Sequence, residues 1–452
     1  MDLSFLNSLD KLELDASSIF LLSVTILAFL IPVLVILPPV GIQKSDALIQ
    51  THTKAGVEGE KSNLKNQSSP EHAAQDGTSP RIQSLVIFPV KSCKGIELTR
   101  SKVLPSGLQF DRLFTFAQLK SPFPVAVDST DEEKSKHKWE FITQRQFSRL
   151  ANITVDLWLP DEMKLRKQSM RSTEAFLILR FPWKEDGWRG LWSMLTAKLA
   201  RGRSAEPEIE VLLPVDFPSA DEVKERGYTF EDVKIWKDTV HALNMERDLP
   251  DELRRYLGVS NKLALFRVDP TELREIYRCA PRKEEAGYQP VTGFQDAYPL
   301  HLMSLSSLQE FSKEVPKDDA LRELDVLRFR PNIILSGAPA YEEETWKQIR
   351  LKPGTSGLYN DAVFHVSCRT VSDPRCKLPN VDPNTGIRHP SEPDKSLRTK
   401  RNVDEGAPLL GCLGMQLTPL FDPSLGEDRE GWVAVGMTVE VEQLGNHVYT
   451  KQ

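Results

Sequence analysis

Hydrophobic and polar positions divide the chain into four stretches. The first is an uninterrupted apolar run. From Ala16 to Ile42 there is no charged residue, and Leu, Ile, Val and Phe dominate. The run exceeds the roughly 20 apolar residues that a helix needs to cross a bilayer. Pro32, Pro38 and Pro39 sit towards its end, where a membrane helix tolerates them. The second stretch, 43–80, is polar, rich in Gly, Ser, Asn, Gln and Lys, and reads as a flexible tether. The third begins at Ile82 and breaks into short β-branched or alternating runs: 82–90, 96–104, 108–119, 138–143, 150–159, 175–181 and 208–213. Turn residues separate them, the pattern of a small barrel or sandwich. Two helical spacings interrupt the strands. Trp188–Ala200 has Gly202 as its stop. Asp251–Leu257 has Gly258 as its stop.

The fourth stretch mixes strands and a helix. Leu263–Val268 reads as a strand. Ser304–Phe311 reads as an amphipathic helix with Ser304 as N-cap. In Arg328-Phe329-Arg330-Pro331-Asn332-Ile333, Pro331 has no N–H for a ladder, so the strand starts after it. Val363–Ser367 is a strand entering a turn-rich loop, and Trp432–Leu444 alternates as a closing strand pair. The run Leu409–Met415 carries Gly411 and Gly414 and allows close backbone approach.

Charge places the first run in context. Asp2, Asp10, Glu13 and Asp15 precede it against a single Lys11, unlike the basic start of a cleaved signal peptide. Lys44, Lys54, Lys61 and Lys65 follow it. The positive-inside rule therefore predicts an uncleaved signal anchor over 16–42, behind a short tail 1–15, with the C-terminal side in the cytosol. A net charge of −6 argues against a nucleic-acid partner. The five cysteines, Cys93, Cys279, Cys368, Cys376 and Cys412, are odd in number and widely spread, and they read as reduced thiols.

Candidate chemistry gathers at four places. Lys91-Ser92-Cys93-Lys94-Gly95 follows a strand. It offers two lysines, a hydroxyl and a glycine to an anion such as phosphate, and it equally suits a plain basic hairpin turn. Asp111-Arg112 puts charge inside an apolar run, where it must be paired or bound by a ligand. Arg330 and Asn332 flank a strand entrance with a donor fork and an amide. Cys376 lies at a turn, Arg375-Cys376-Lys377-Leu378-Pro379-Asn380, where flanking positive charge favours thiolate.

In order and spacing, Phe88–Gly95, Asp111-Arg112, Arg328–Asn332 and Arg375-Cys376 with Val381–Gly386 resemble the MOSC family, named for the C-terminal domain of molybdenum cofactor sulfurase. The likeness covers about 81–445 and is greatest to the amidoxime-reducing members, which also begin with a signal anchor. The resemblance implies a mixed α+β, β-rich fold. A MOSC N-terminal β-barrel domain would span 81–260 and a MOSC β-barrel domain 261–452, behind one transmembrane helix. It implies molybdenum–molybdopterin as cofactor and Cys376 as the molybdenum ligand. Lys91, Ser92, Arg112, Arg330, Asn332 and Arg375 would contact the pterin and its phosphate. It further implies a membrane-anchored oxidoreductase that reduces N-hydroxylated or N-oxygenated small molecules with electrons from cytochrome b5 and its reductase. The membrane would be the mitochondrial outer membrane or the endoplasmic reticulum. Two other classes stay open: a sulfurtransferase with Cys376 as persulfide, and a module that binds the cofactor without turnover. The chain departs from the family pattern at Val371–Pro374, where the loop is longer and Pro374 stands in place of an expected serine, and in an extended spacer between 120 and 140.

Overall fold

The computed structural model describes residues 15–36, 43–75, 77–122, 130, 132, 136–167, 174–354, 359–372, 377–426 and 428–450. The chain forms two compact units, residues 1–43 with 182–209, and residues 44–181 with 210–452. The apolar run forms the helix Ala16–Ile36. Its window Ala16–Val33 has a mean hydropathy of 2.3 and no buried residue. By length and composition it is able to cross a membrane. The rest of the expected span, 37–42, lies outside the described residues.

The larger unit is β-rich and built on two closed sheets. Five strands close one barrel in the order Thr229–Ile235, Asp238–Asn244, Leu263–Val268, Phe114–Lys120 and Lys138–Phe141. Ala117, Trp139, Phe141, Val233, Val240, Ala264 and Phe266 fill it. The second sheet runs Ile333–Ser336, Leu300–Ser304, Gly411–Leu420, Ala362–Ser372, Trp346–Lys352, Thr438–Leu444, Arg81–Ile87 and Ile96–Leu98. Arg81–Ile87 also pairs with Ile333–Ser336, so the sheet closes on itself. Strands from both sides of residue 260 therefore share each sheet. The N-terminal strand Arg81–Ile87 is a stave among C-terminal ones, and this carries the chemistry-bearing segment after residue 87 to the entrance of Ile333–Ser336.

The helices end where the sequence puts their stops. Gly202 follows Gly187–Arg201, and Gly258, at φ 74°, follows Asp251–Leu257. Ser304 is the N-cap residue of Leu305–Lys313, although its side chain makes no capping bond. Two expectations are corrected. Trp432–Leu444 is not a hairpin pair: Gly431–Ala434 pairs with Arg100–Leu104, whereas Thr438–Leu444 pairs with Trp346–Lys352. Between them Val435 N–H donates to Thr99 O at 2.8 Å and Gly436 N–H to Ile82 O at 2.9 Å, with Gly436 at φ 88°, so the chain passes from one sheet to the other.

The second correction concerns the tether. Lys44–Ile49 is a helix, and His52–Lys54 pairs with Thr154–Pro160. Leu64 enters the core beside Leu305, Leu308 and Phe311. Gln309 Nε2 donates to the carbonyls of Gln67 at 2.7 Å and Ser69 at 3.0 Å, and Ser306 Oγ donates to His72 O at 2.9 Å. This polar segment is held by the buried Leu48 and Leu64 and by its own backbone groups, which average composition does not register.

Candidate functional site

Four sequence segments meet at one end of the second sheet, and arginines tie them together. The first two are joined through main chain. Arg112 N–H donates to Phe88 O at 2.8 Å, Phe114 N–H to Pro89 O at 3.0 Å and Lys91 N–H to Phe114 O at 2.8 Å. Asp111 then reaches back, its Oδ1 accepting from Phe88 N–H at 2.8 Å. Its Oδ2 accepts from Arg112 Nη1 at 2.5 Å. The Asp111 side chain is fully buried, so the pair answers the cost of a charge in an apolar run.

Arg112 also binds the third segment. Nη1 donates to Asn332 Oδ1 at 2.8 Å and Nη2 to Arg330 O at 3.1 Å. Asn332 is otherwise spent: Nδ2 donates to Val86 O at 3.1 Å, and Oδ1 also accepts from His301 N–H at 3.2 Å. Arg330 turns the other way. Its Nη1 donates to Cys93 O at 2.8 Å, and its guanidinium lies 4.0 Å from the centroid of the Phe88 ring. Arg112 stacks over the same ring at 4.7 Å. A Cβ on Gly95 would come within 2.6 Å of Phe88 Cε1, so only glycine lets the chain pass the ring that carries both arginines.

One donor is left over. Arg330 Nη2 is buried and has no hydrogen-bond partner among the described residues. Burial, and then the neighbouring Arg112 charge, lower the Arg330 pKa to about 9. The group is still cationic at neutral pH, but it is a desolvated charge beside a like charge. An anion at this point would offset both costs.

Backbone strain marks the same residues. Ser92, Arg112 and Arg330 have φ of 67°, 48° and 55°, in the left-handed region that non-glycine residues seldom adopt. Phe110, at φ 67°, adjoins them. Such strain costs on the order of 1–3 kcal/mol per residue and persists where the surroundings over-determine it, commonly at binding sites.

Lys91 is held from a different side. Its Nζ donates to Phe294 O and Asp296 Oδ1, each at 2.6 Å. Burial lowers its pKa to about 8, against the raising effect of Asp296. Trp236 Nε1 donates to the same Asp296 oxygen at 3.2 Å, and Arg145 lies 4.1 Å from the Trp236 ring. Ser92 contributes its carbonyl, which accepts from Gln144 Nε2 at 2.7 Å. Arg388 Nη2 donates to the carbonyls of Gln144 at 2.6 Å and Arg145 at 2.9 Å.

The fourth segment enters through Arg328, which the sequence reading did not single out. It is buried. Nη1 reaches the carbonyls of Pro379 and Asn380, each at 3.3 Å, and Nη2 reaches Asp382 Oδ2 at 2.7 Å. Asp382 Oδ1 accepts from Asn384 N–H at 3.0 Å and Thr385 N–H at 2.9 Å, which makes Val381–Gly386 a side-chain-stabilised turn. Asn152 Nδ2 fixes the far side of the turn by donating to Thr385 O at 2.9 Å. The strand Ala362–Ser372 leads up to the loop that holds Arg375 and Cys376. Those two residues, with Pro374, lie outside the described residues, as does most of the extended 120–140 spacer.

The structure thus gathers Lys91, Ser92, Arg112, Arg330 and Asn332. It shows Arg112 and Asn332 largely occupied with protein partners and Arg330 with a donor to spare. Phe88, Asp111, Asp296, His301 and Arg328 complete the neighbourhood. Burial and the Arg112 charge lower the His301 pKa to about 4, so the ring is neutral, with Nδ1 against Phe329 O at 3.1 Å. Of these five, Asp111 was conspicuous in the sequence, Phe88 and Arg328 lay within the motifs that carry the resemblance without a role of their own, and Asp296 and His301 carried no signal. Among the described residues no group of three or more His, Cys, Asp or Glu is placed to hold a metal ion.

Comparison with known proteins covers both halves of this region. Residues 79–187 match the MOSC N-terminal beta barrel domain and residues 289–440 match the MOSC domain. The chain is similar to mitochondrial amidoxime reducing component 2 of Rattus norvegicus, 24% identical over 358 residues, 78% of this chain and 81% of that protein. It is 29% identical over 360 residues to mitochondrial amidoxime reducing component 2 of Homo sapiens, with the same shares covered. With mitochondrial amidoxime-reducing component 1 of Homo sapiens the identity is 22% over 366 residues.

Proposed function

The chain belongs to the MOSC-domain family, and on that premise we propose that it is a molybdenum-cofactor oxidoreductase that reduces N-hydroxylated or N-oxygenated small molecules. The observation that carries the reading is the spare Nη2 of Arg330, a buried cationic donor beside Arg112. Molybdopterin is an anionic, hydrogen-bonding ligand, and a guanidinium fork suits its phosphate. The relatives named for amidoxime reduction support the substrate class.

In this reading Arg330 donates to the anionic end of the pterin. Arg112 and Asn332 hold Arg330 in position through its carbonyl and through the strand entrance. Lys91, paired with Asp296, and Ser92 would add an ammonium and a hydroxyl, and Arg375, outside the described residues, would be a further contact. Cys376 supplies a soft thiolate as the protein ligand to molybdenum. When bound, the cofactor supplies the two-electron chemistry, and the protein supplies binding, orientation and electrostatics. Cytochrome b5 and its reductase are the proposed electron source. The helix Ala16–Ile36 is the proposed anchor, with the folded domains on the cytosolic side of the mitochondrial outer membrane or the endoplasmic reticulum.

The test is reconstitution of the purified protein with NADH, cytochrome b5 reductase, cytochrome b5 and an aryl amidoxime. The expected result is amidine formation that requires every component. Cofactor bound without turnover would instead favour a storage or delivery module. Sulfur transfer from a persulfide on Cys376, without reduction, would favour a sulfurtransferase.

A further inference from the structure

The helix Gly187–Arg201 carries its large and small side chains on the wrong faces for a water-soluble element. Gly190, Thr196 and Ala197 are buried, and Ser193 is half-buried. Trp188, Leu191, Trp192, Leu195 and Leu199 face outward, with Trp188 87% and Leu199 62% exposed. At 100° per residue these five positions fall within a stripe about 100° wide. Burial drives apolar bulk inward in a globular unit, so such a stripe marks an interaction surface.

Charge identifies the surface it fits. The helix has no acidic residue. Arg189 and Lys198 border the stripe on opposite sides and Arg201 lies further round; beyond the ends stand Lys184 and Arg203, with Glu185 and Asp186 at the N-terminal flank. Cations beside Trp and Leu at helical spacing match a lipid headgroup layer, where indole rings sit at the boundary and basic side chains meet phosphates. A second observation points the same way. The compact unit of residues 1–43 and 182–209 that contains this helix also contains Ala16–Ile36, whose membrane-length apolar window has no buried residue.

We propose that Gly187–Arg201 is an interfacial helix lying in the headgroup layer of an anionic phospholipid membrane. The stripe Trp188, Leu191, Trp192, Leu195 and Leu199 enters the acyl boundary, and Arg189, Lys198 and Arg201 contact lipid phosphates. This second contact is independent of the cofactor reading and adds to any anchoring by Ala16–Ile36.

The experiment uses the full chain on vesicles of phosphatidylcholine with or without phosphatidylserine, carrying bromine on the acyl chains near the headgroups. Tryptophan emission is compared between the wild type and Trp188→Phe/Trp192→Phe, which keeps the apolar stripe. The difference signal should be blue-shifted and quenched by the brominated lipid. Quenching should fall when phosphatidylserine is omitted and be largely lost in Arg189→Glu/Lys198→Glu. A difference signal that stays red and unquenched would overturn the proposal. A blue-shifted signal that bromolipids do not quench, with cross-linking through this helix to a second copy or another protein, would overturn it in favour of a protein interface.

Discussion

Arg112 Nη2 donates to the main-chain carbonyl of Arg330 at 3.1 Å, so one arginine fixes the backbone of the other although their like charges are neighbours. The two share the Phe88 ring but not a role. Arg112 is occupied by Asp111, Asn332 and this carbonyl, whereas Arg330 keeps a free buried donor. Substitutions should separate them.

Arg112→Ala leaves the fully buried Asp111 carboxylate without its partner. Breaking a buried pair in this way costs about 3–5 kcal/mol. The melting temperature should drop, and pterin content should drop with it. Arg112→Lys should restore only part of both, because an ammonium cannot serve Asp111, Asn332 and the Arg330 carbonyl as a fork does. Thermal unfolding together with pterin analysis checks this. Full pterin content in both variants would remove Arg112 from the positioning role.

Arg330→Met should behave differently. It keeps bulk against Phe88 and loses the donor to Cys93 O and the spare Nη2. A hydrogen bond to a charged group is worth about 1.5–3 kcal/mol, so cofactor affinity should fall roughly tenfold or more. Stability of the cofactor-free protein should change by much less. The measurement is cofactor retention on dilution beside the urea midpoint of the cofactor-free protein.

His301 sets an acid limit. Its pKa in the folded protein, about 4, lies below its ordinary value of 6.5. Between those values the unfolded chain binds more protons than the folded one, so stability rises with pH through this window and is lost as pH falls through it. The loss should be on the order of 3 kcal/mol for this residue across the window. His365, whose pKa burial also lowers to about 4, adds to the trend. Urea midpoints at several pH values should fall towards pH 4, with a shallower slope in His301→Gln. Equal slopes would show that His301 is not the group responsible.

Much of this geometry is legible in the sequence, and what is not has a physical reason. Strand and helix ends follow local signals: Pro331 delays a strand to Ile333, and Gly258 ends a helix. Asp111-Arg112 is conspicuous because charge inside an apolar run must be answered, and the answer proved to be each other. The partners of Lys91 and Arg328, at positions 296 and 382, lie far along the chain, and no local pattern links them. The tether reading fails for a related reason. Leu48, in the short apolar run Ala47-Leu48-Ile49, and the lone Leu64 lie in an otherwise polar segment, and their burial depends on surfaces supplied by residues far along the chain.

A chain beginning at residue 44 should fold with nearly unchanged stability. One beginning at residue 79 should lose several kcal/mol, since it forfeits Leu64 and the bonds to Gln309 and Ser306. Leu64→Ala in the full chain should cost about 2–5 kcal/mol. Calorimetry on the three proteins decides the point. Equal melting temperatures for chains starting at 44 and 79 would return the segment to the status of a linker.

Thiol reactivity should follow environment. Hydrogen bonding from Cys368, and then from Thr450 N–H against the effect of burial, lowers the Cys279 pKa to about 5, while burial pushes Cys93 and Cys412 up to about 12. Among the four described cysteines, brief alkylation at neutral pH should modify Cys279 first, as read by peptide mass spectrometry. Faster modification of Cys93 or Cys412 would contradict their full burial.

The central claim is that this chain holds molybdenum through molybdopterin and uses it to reduce N–O bonds. Molybdenum and pterin content, measured beside amidoxime turnover in the wild type, Arg330→Met and Cys376→Ser, tests it most directly. Both components and turnover are expected in the wild type, reduced cofactor content in Arg330→Met, and lost turnover with an altered metal spectrum in Cys376→Ser. Wild-type turnover without molybdenum, or undiminished turnover in Cys376→Ser, would contradict it.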